Sequence, residues 1–321
     1  MDITITNLPS LKDADKAIFN SRIINAVNDV LNAQYHIDTR EHKISIAAEN
    51  QNGDEEKQVF SIEAQTPLYT FDQIVLDDDV LQELYYSIKF ETVRSKVYDE
   101  WGLAKIEPCP KLALNFHGDS GAGKTMTAHG IAAAMGRKII LASYAEIESK
   151  YHGDGPKNVK KLFQIASESN AVLFIDEADS LLSKRLTNVT QGSEQAINSM
   201  RSQLLIQIEQ YSGVVIFATN FVTNYDSAFV TRIKSIHFRK PNFEMRKRLW
   251  KIMLVPGLPL DKKIDIEVLA KIENICGRDI KNAVVKAAIK TAIDGGHVIT
   301  QKILVETVES IIASNKEITG V

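Results

Sequence analysis

Eight residues constrain the fold of this chain more than any others. Gly118-Asp119-Ser120-Gly121-Ala122-Gly123-Lys124-Thr125 match the pattern G-x-x-x-x-G-K-[ST] without a gap. They follow an apolar run, Leu112 to Phe116, and open a stretch with helical spacing, Met126 to Met135. A strand that turns through glycines into a helix aims successive backbone N–H groups at one point, and the helix N-terminus adds a field that favours an anion. In that setting the backbone from Gly118 to Gly123 would wrap phosphate oxygens. Lys124 would reach the outer phosphates, and the Thr125 hydroxyl would ligate Mg²⁺. The plainer alternative is a glycine-rich turn with no ligand, and eight matched positions in the right context weigh against it.

The segments around this turn alternate. Short apolar runs recur at Leu112 to Phe116, Lys138 to Ala142, Val172 to Ile175, Val214 to Ala218 and Ser235 to Phe238, separated by longer helical stretches. Such alternation predicts a parallel sheet covered by helices. After Pro241 the runs stop, and helical spacing takes over at Met245 to Met253, Ile266 to Ile275, Asp279 to Ile293 and Gln301 to Ala313. Before Pro67, helical spacing over 12–34 precedes extended runs at Lys43 to Ala47 and Val59 to Ala64. Glu49 to Asp54 between those runs looks like a hairpin loop. The expected architecture is therefore α/β. A P-loop NTPase parallel sheet occupies 67–240, a C-terminal helical lid 241–321, and a small α+β N-terminal domain of partner-binding character 1–66.

The run Leu173-Phe174-Ile175-Asp176-Glu177 supplies a partner for the glycine turn. An apolar strand that ends in two acids delivers them to the edge where strands of an α/β sheet meet ligand. Asp176 would hold Mg²⁺ and Glu177 would act as general base toward the attacking water, making the chain an ATPase.

Composition excludes several other classes. The 321 residues are 44% hydrophobic and 25% charged, ordinary for a globular protein. With 38 Lys+Arg against 41 Asp+Glu, the formal charge of −3 argues against a chain built around nucleic acid or an anionic membrane. The cysteines, Cys109 and Cys276, have no metal-like spacing and suit reducing cytoplasm. Met1-Asp2-Ile3-Thr4 lacks the basic start of a signal peptide, and no apolar stretch is long enough to span a membrane. The basic clusters Lys157, Lys160, Lys161 and Arg246, Lys247, Arg248, Lys251 read as solvated helix faces, and His117 and His129 as packing or locally hydrogen-bonded groups.

Ile175-Asp176-Glu177-Ala178-Asp179-Ser180, together with Ala218-Thr219-Asn220, resembles the AAA-family ATPases. The resemblance covers about 67–321. It implies that Thr70-Phe71-Asp72-Gln73-Ile74 is an entry linker beside the adenine, with Ile74 in contact. Asn220 matches the position that aligns the lytic water. Asp226-Ser227-Ala228-Phe229-Val230-Thr231-Arg232-Ile233 resembles the segment carrying an arginine finger, so Arg232 would reach the γ-phosphate held by a neighbouring subunit. The plainer alternative for Arg232 is a solvated surface arginine. The family often has a second arginine soon after, where this chain has Lys234 and Ser235. Cys276-Gly277-Arg278-Asp279-Ile280 resembles the sensor-2 turn, which makes Arg278 a cis contact to the γ-phosphate or, more plainly, a helix N-terminal surface residue.

Lys150-Tyr151-His152 stands where protein-threading members carry an aromatic pore loop, and Thr187 to Ser193 matches a second loop facing the channel. An aromatic ring packs against any extended polypeptide, so its grip tolerates sequence. The resemblance thus implies an ATP- and Mg²⁺-dependent protein remodeller that self-associates into a ring, a hexamer in this family, and acts on a protein substrate. No H-E-x-x-H occurs among the seven histidines, which argues against the metalloprotease branch. The Arg232 segment and the Gly277-Arg278 turn further resemble the pachytene-checkpoint type that opens HORMA-domain proteins. The alternative is a nucleic-acid-stimulated AAA ATPase, a loader or DNA-processing regulator with the same ATP site.

Overall fold

A computed structural model describes residues 3–6, 46–49, 62–108, 111–148, 154–184, 192–220 and 225–319. The chain forms two compact units, residues 1–60 and 61–321. In the first, β1 (Ile3–Thr6) pairs in parallel with β2 (Ile46–Glu49), in the register Ile3↔Ile46 to Thr6↔Glu49. The pairing corrects part of the sequence reading. Glu49, expected in a loop, ends a strand, and the described partner of this strand lies upstream; the expected hairpin partner over Val59 to Ala64 falls partly outside the described residues. Parallel strands need a long crossover, so a short turn could not have joined them. The helix expected over 12–34 and the loop residues 50–54 lie outside the described residues.

The second unit is built on a five-stranded, wholly parallel sheet: β3 (Leu112–Gly118), β4 (Ile139–Ser143), β5 (Val172–Asp176), β6 (Val214–Thr219) and β7 (Lys234–Phe238), in the spatial order β4-β5-β6-β3-β7. All five strands expected from the apolar runs are present in it. β6 is buried at every position and β5 at all but its last, because helices cover both faces. Edge strand β7 alternates, with Ile236 and Phe238 facing inward. The backbone of Gln65 pairs with Ile139 on the opposite edge, at 2.8 and 2.9 Å.

Four helices cover the sheet. They are α1 (Asp78–Ser95), α2 (Lys124–Ala134), α3 (Gly155–Glu168) and α4 (Gly192–Gln210). α3 buries Val159, Leu162, Phe163 and Ala166, and α4 buries Met200, Leu204 and Ile208 at four-residue spacing. α1 is fastened by Leu84 in the core, by Glu91 to Arg137 at 2.9 Å, and by Glu83 to Lys234.

The lid consists of α5 (Phe243–Met253), α6 (Ile266–Ala270), α7 (Gly277–Ile293) and α8 (Gln301–Thr319). α6 is shorter than the periodicity suggested. Its last carbonyl, Ala270, accepts from Arg246 Nε at 2.7 Å, and Asn274 turns the chain with φ 62°. Arg246 also donates to the Pro241 carbonyl at 2.8 Å and is 7% exposed. It is a buried clamp rather than part of a solvated basic face, whereas Lys157, Lys160 and Lys161 are exposed as expected. Among the described residues no helix is long and apolar enough to cross a membrane.

The lid core closes around Trp250, which is fully buried among Leu269, Ile280, Val284 and Leu304. Trp250→Ala should destabilise the lid by about 3–5 kcal/mol. Hydrogen exchange should show lost amide protection in α5 and α7 while β5 and β6 remain protected.

Candidate functional site

The strand order brings one set of ends together. β3 hands the chain toward the β4 edge and β6 hands it toward β7, so the carboxyl ends of adjacent β3 and β6 border a crevice of the kind where open α/β sheets hold ligand. Gly118 to Gly123 turn there from β3 into α2. Gly118, Gly121 and Gly123 have φ of 128°, 77° and 97°, a region glycine enters without steric cost. Two of the three are also sites of close approach. A side chain on Gly118 would strike the Phe238 carbonyl of β7, and one on Gly121 would strike Cys276 and Arg278 of the lid.

Lys124 begins α2 and is 8% exposed. Its ammonium donates to the carbonyl of Gly118 at 2.7 Å, that of Asp119 at 3.1 Å, and Oδ1 of Asn220 at 2.9 Å. Burial lowers its pKa from the ordinary lysine value. The carboxylates of Asp176, Asp119 and Asp179 act the other way, and Arg278 adds to the lowering. Asn220 follows β6 directly, so the two residues, 96 positions apart, meet because β3 and β6 are neighbours.

Asp176 ends β5, and its Oδ1 accepts from the backbone N–H of Glu177 at 2.9 Å. Glu177 is exposed and has φ 54°, a left-handed conformation that costs a non-glycine residue on the order of 1–3 kcal/mol. The next amide, Ala178, donates to the Ala218 carbonyl of β6 at 3.0 Å and ties the bend to the sheet. Thr125 is exposed on the first turn of α2. Among the described residues no group of three or more His, Cys, Asp or Glu forms a metal cage. Thr125 and Asp176 could therefore hold a hard cation only in company with phosphate oxygens and water, as Mg²⁺ is commonly held.

The lid reaches the same loop. Arg278 Nη1 donates to Ser120 Oγ at 3.1 Å. Cys276 caps α7, with its amide donating to Asp279 Oδ2 at 2.8 Å. Burial, aided by the hydrogen bond with Asp279, pushes the Cys276 thiol up to about 11, so it packs against Gly121 as a neutral group. The glycine cradle, the buried Lys124 ammonium and the Arg278 guanidinium beside Ser120 make a donor set that fits a polyphosphate.

Other expected residues lie elsewhere. Arg232 is partly exposed and ion-paired. Its Nε and Nη2 meet Glu209 Oε1 at 2.7 and 2.6 Å, and Nη1 donates to the Ala228 carbonyl at 2.8 Å. Ile74 is 5% exposed and packs its δ-methyl toward Gly130 of α2, in the core beneath the loop. Lys150, Tyr151 and His152, and most of the 187–193 loop, lie outside the described residues. His129 accepts from the Leu68 amide at 3.2 Å, and His117 stacks on His237 with centroids 4.8 Å apart. Sequence reasoning gave no role to Asp179, whose charge reaches Lys124, or to Arg201, Glu209 and His237. Only Asp179 carried a signal, two residues beyond Glu177.

Residues 114–240 match the family described as "ATPase family associated with various cellular activities (AAA)". The chain is 29% identical over 304 residues to the proteasome-activating nucleotidase of Saccharolobus islandicus, covering 88% of this chain and 76% of that one. It is 37% identical over 180 residues to katanin p60 ATPase-containing subunit A1 of Strongylocentrotus purpuratus, covering 51% of this chain and 34% of that subunit. Against the ATP-dependent zinc metalloprotease FtsH 2 of a Thermoanaerobacter species it is 31% identical over 257 residues, covering 77% of this chain and 48% of that protein. This chain thus carries an AAA ATPase domain, homologous to proteasome-activating nucleotidase, katanin and FtsH, and it is an ATP-hydrolysing enzyme.

Proposed function

We propose that the chain is an ATP-driven protein remodeller that works as a ring, a hexamer, and draws a polypeptide partner through its pore. The observation that carries this reading is the meeting of Lys124, Asn220 and the lid residue Arg278 at one loop. A nucleotide held there touches both the sheet and the lid, so a change in its phosphates is felt as a change in lid position. Relatives named as a nucleotidase that activates the proteasome, as katanin and as FtsH support action on other proteins.

In this reading Lys124 releases the Gly118 and Asp119 carbonyls and the Asn220 amide and takes phosphate oxygens instead. The loop amides from Gly118 to Gly123 bind the remaining oxygens. Thr125 and Asp176 would hold Mg²⁺, which when bound offsets phosphate charge. Glu177 accepts a proton from the attacking water, and Asn220, freed from Lys124, orients that water. Arg278 contacts the γ-phosphate from the lid of the same chain. Arg232 supplies positive charge to the site of a neighbouring subunit, and its pairing with Glu209 holds it ready in the separate chain. Tyr151, flanked by Lys150 and His152, grips the partner. Action in the cytoplasm accords with the composition, and the narrower likeness to HORMA-domain remodellers rests on two short segments alone.

Lys124→Ala should abolish binding of a fluorescent ATP analogue. Glu177→Gln should bind it normally but turn over ATP about 10²–10⁴-fold more slowly. Arg232→Ala should lower turnover by about 10³-fold or more. Mixing it with Glu177→Gln subunits should restore part of the activity, because the intact finger and the intact base then come from different chains. An Arg232→Ala protein with normal turnover would remove the shared-site reading. Tyr151→Ala should keep ATPase activity and lose remodelling, and normal remodelling by that variant would rule out threading by this loop.

A further inference from the structure

Arg201 is 3% exposed on α4 and has no part in the chemistry above. Its guanidinium makes five hydrogen bonds among the described residues. Nε and Nη2 donate to the Ser180 carbonyl at 3.0 and 2.7 Å, and Nη2 also to Ser183 Oγ at 2.6 Å. Nη1 donates to the Lys184 carbonyl at 3.0 Å and to Asn198 Oδ1 at 3.1 Å. All but the last fall on Ser180–Lys184, the stretch that carries the chain away from Glu177. A buried guanidinium is tolerated only when its N–H groups are hydrogen-bonded, and its planar fork fixes several acceptors at set angles in a way a lysine ammonium does not.

The clamped stretch is a junction. The Leu182 carbonyl accepts from the Asp226 amide at 2.9 Å, and Ser183 bridges to Tyr225. Tyr225 lies 2.7 Å, hydroxyl to hydroxyl, from Thr219, the residue before Asn220. Asp226 caps the turn Ser227–Val230 through its bond from the Ala228 amide at 2.9 Å, and that turn leads to Arg232. Glu177 itself stands in left-handed backbone, which persists only where the surrounding structure over-determines it. Strand β5, paired up to Asp176, holds the chain before it, while Ala178 bonded to β6 and the Arg201 clamp hold the chain after it.

We propose that Arg201 is a positioning residue for ATP hydrolysis: by fixing Ser180–Lys184 it sets the Glu177 carboxylate and joins it to the segment that bears Arg232. The inference rests on Glu177 being the general base. Arg201→Lys keeps the charge and loses the fork. It should lower kcat by about tenfold or more while leaving KM for ATP within about twofold, since displacement of a catalytic group by a fraction of an ångström is costly. In a Glu177→Gln background, followed by single-turnover release of labelled phosphate, the same substitution should add little, because the group it positions is already gone.

A folded Arg201→Lys protein with normal kcat overturns the proposal, and so does a raised KM or a loss that adds in full to that of Glu177→Gln. If Arg201→Lys fails to fold, Ser183→Ala removes a single acceptor and should shift kcat in the same direction; an unchanged kcat there overturns the clamp. Normal turnover by Glu177→Gln alone would instead remove the base assignment, whatever Arg201→Lys does.

Discussion

A buried ammonium at the junction of β3 and α2 is the constraint on which the rest of the second unit depends. Lys124 is desolvated, and such a charge is stable only if every N–H finds an acceptor. Two acceptors are carbonyls of its own loop and the third is Asn220, which is reached only because β6 lies beside β3. The glycines follow from the same demand, since the loop must fold back far enough for its carbonyls to face the lysine. In the proposed function these acceptors are also what phosphate oxygens would replace, so the resting hydrogen bonds and the proposed binding site are one arrangement.

The lid is joined to that arrangement rather than merely near it. Gly121 has no room for a side chain because Cys276 and Arg278 lie against it, and Arg278 reaches Ser120. A rotation of α7 would therefore disturb the loop, and occupation of the loop would press on α7. Beyond the end of β5, Ser180–Lys184 ties the residues after Glu177 to Asp226 and to α4 through Arg201. Packed elements with few soft contacts pass on small displacements rather than absorbing them.

Much of this was legible in the sequence. Five apolar runs became five parallel strands, the eight-residue turn sits between β3 and α2 as its spacing requires, and Asp176 ends β5. Other parts were hidden for physical reasons. The partner of β2 is a strand more than forty positions upstream, and a parallel pairing leaves no turn signal in the sequence. Arg246 and Arg201 look like ordinary helix-surface charges, because burial of a guanidinium depends on which carbonyls other elements bring to it. The ion pair of Arg232 with Glu209, 23 positions away, leaves no mark in a local motif.

The sequence by itself determined the residue set: glycines at the strand-to-helix turn, a lysine and a threonine at the helix start, and two acids at a strand end. Local spacing sets these, since each follows from the next few residues. Only the tertiary structure decided which groups share the site. It placed Asn220 on Lys124, Arg278 on Ser120 and Arg201 behind Glu177. Strand order and lid docking come from the burial of whole faces, and no short stretch of residues records that.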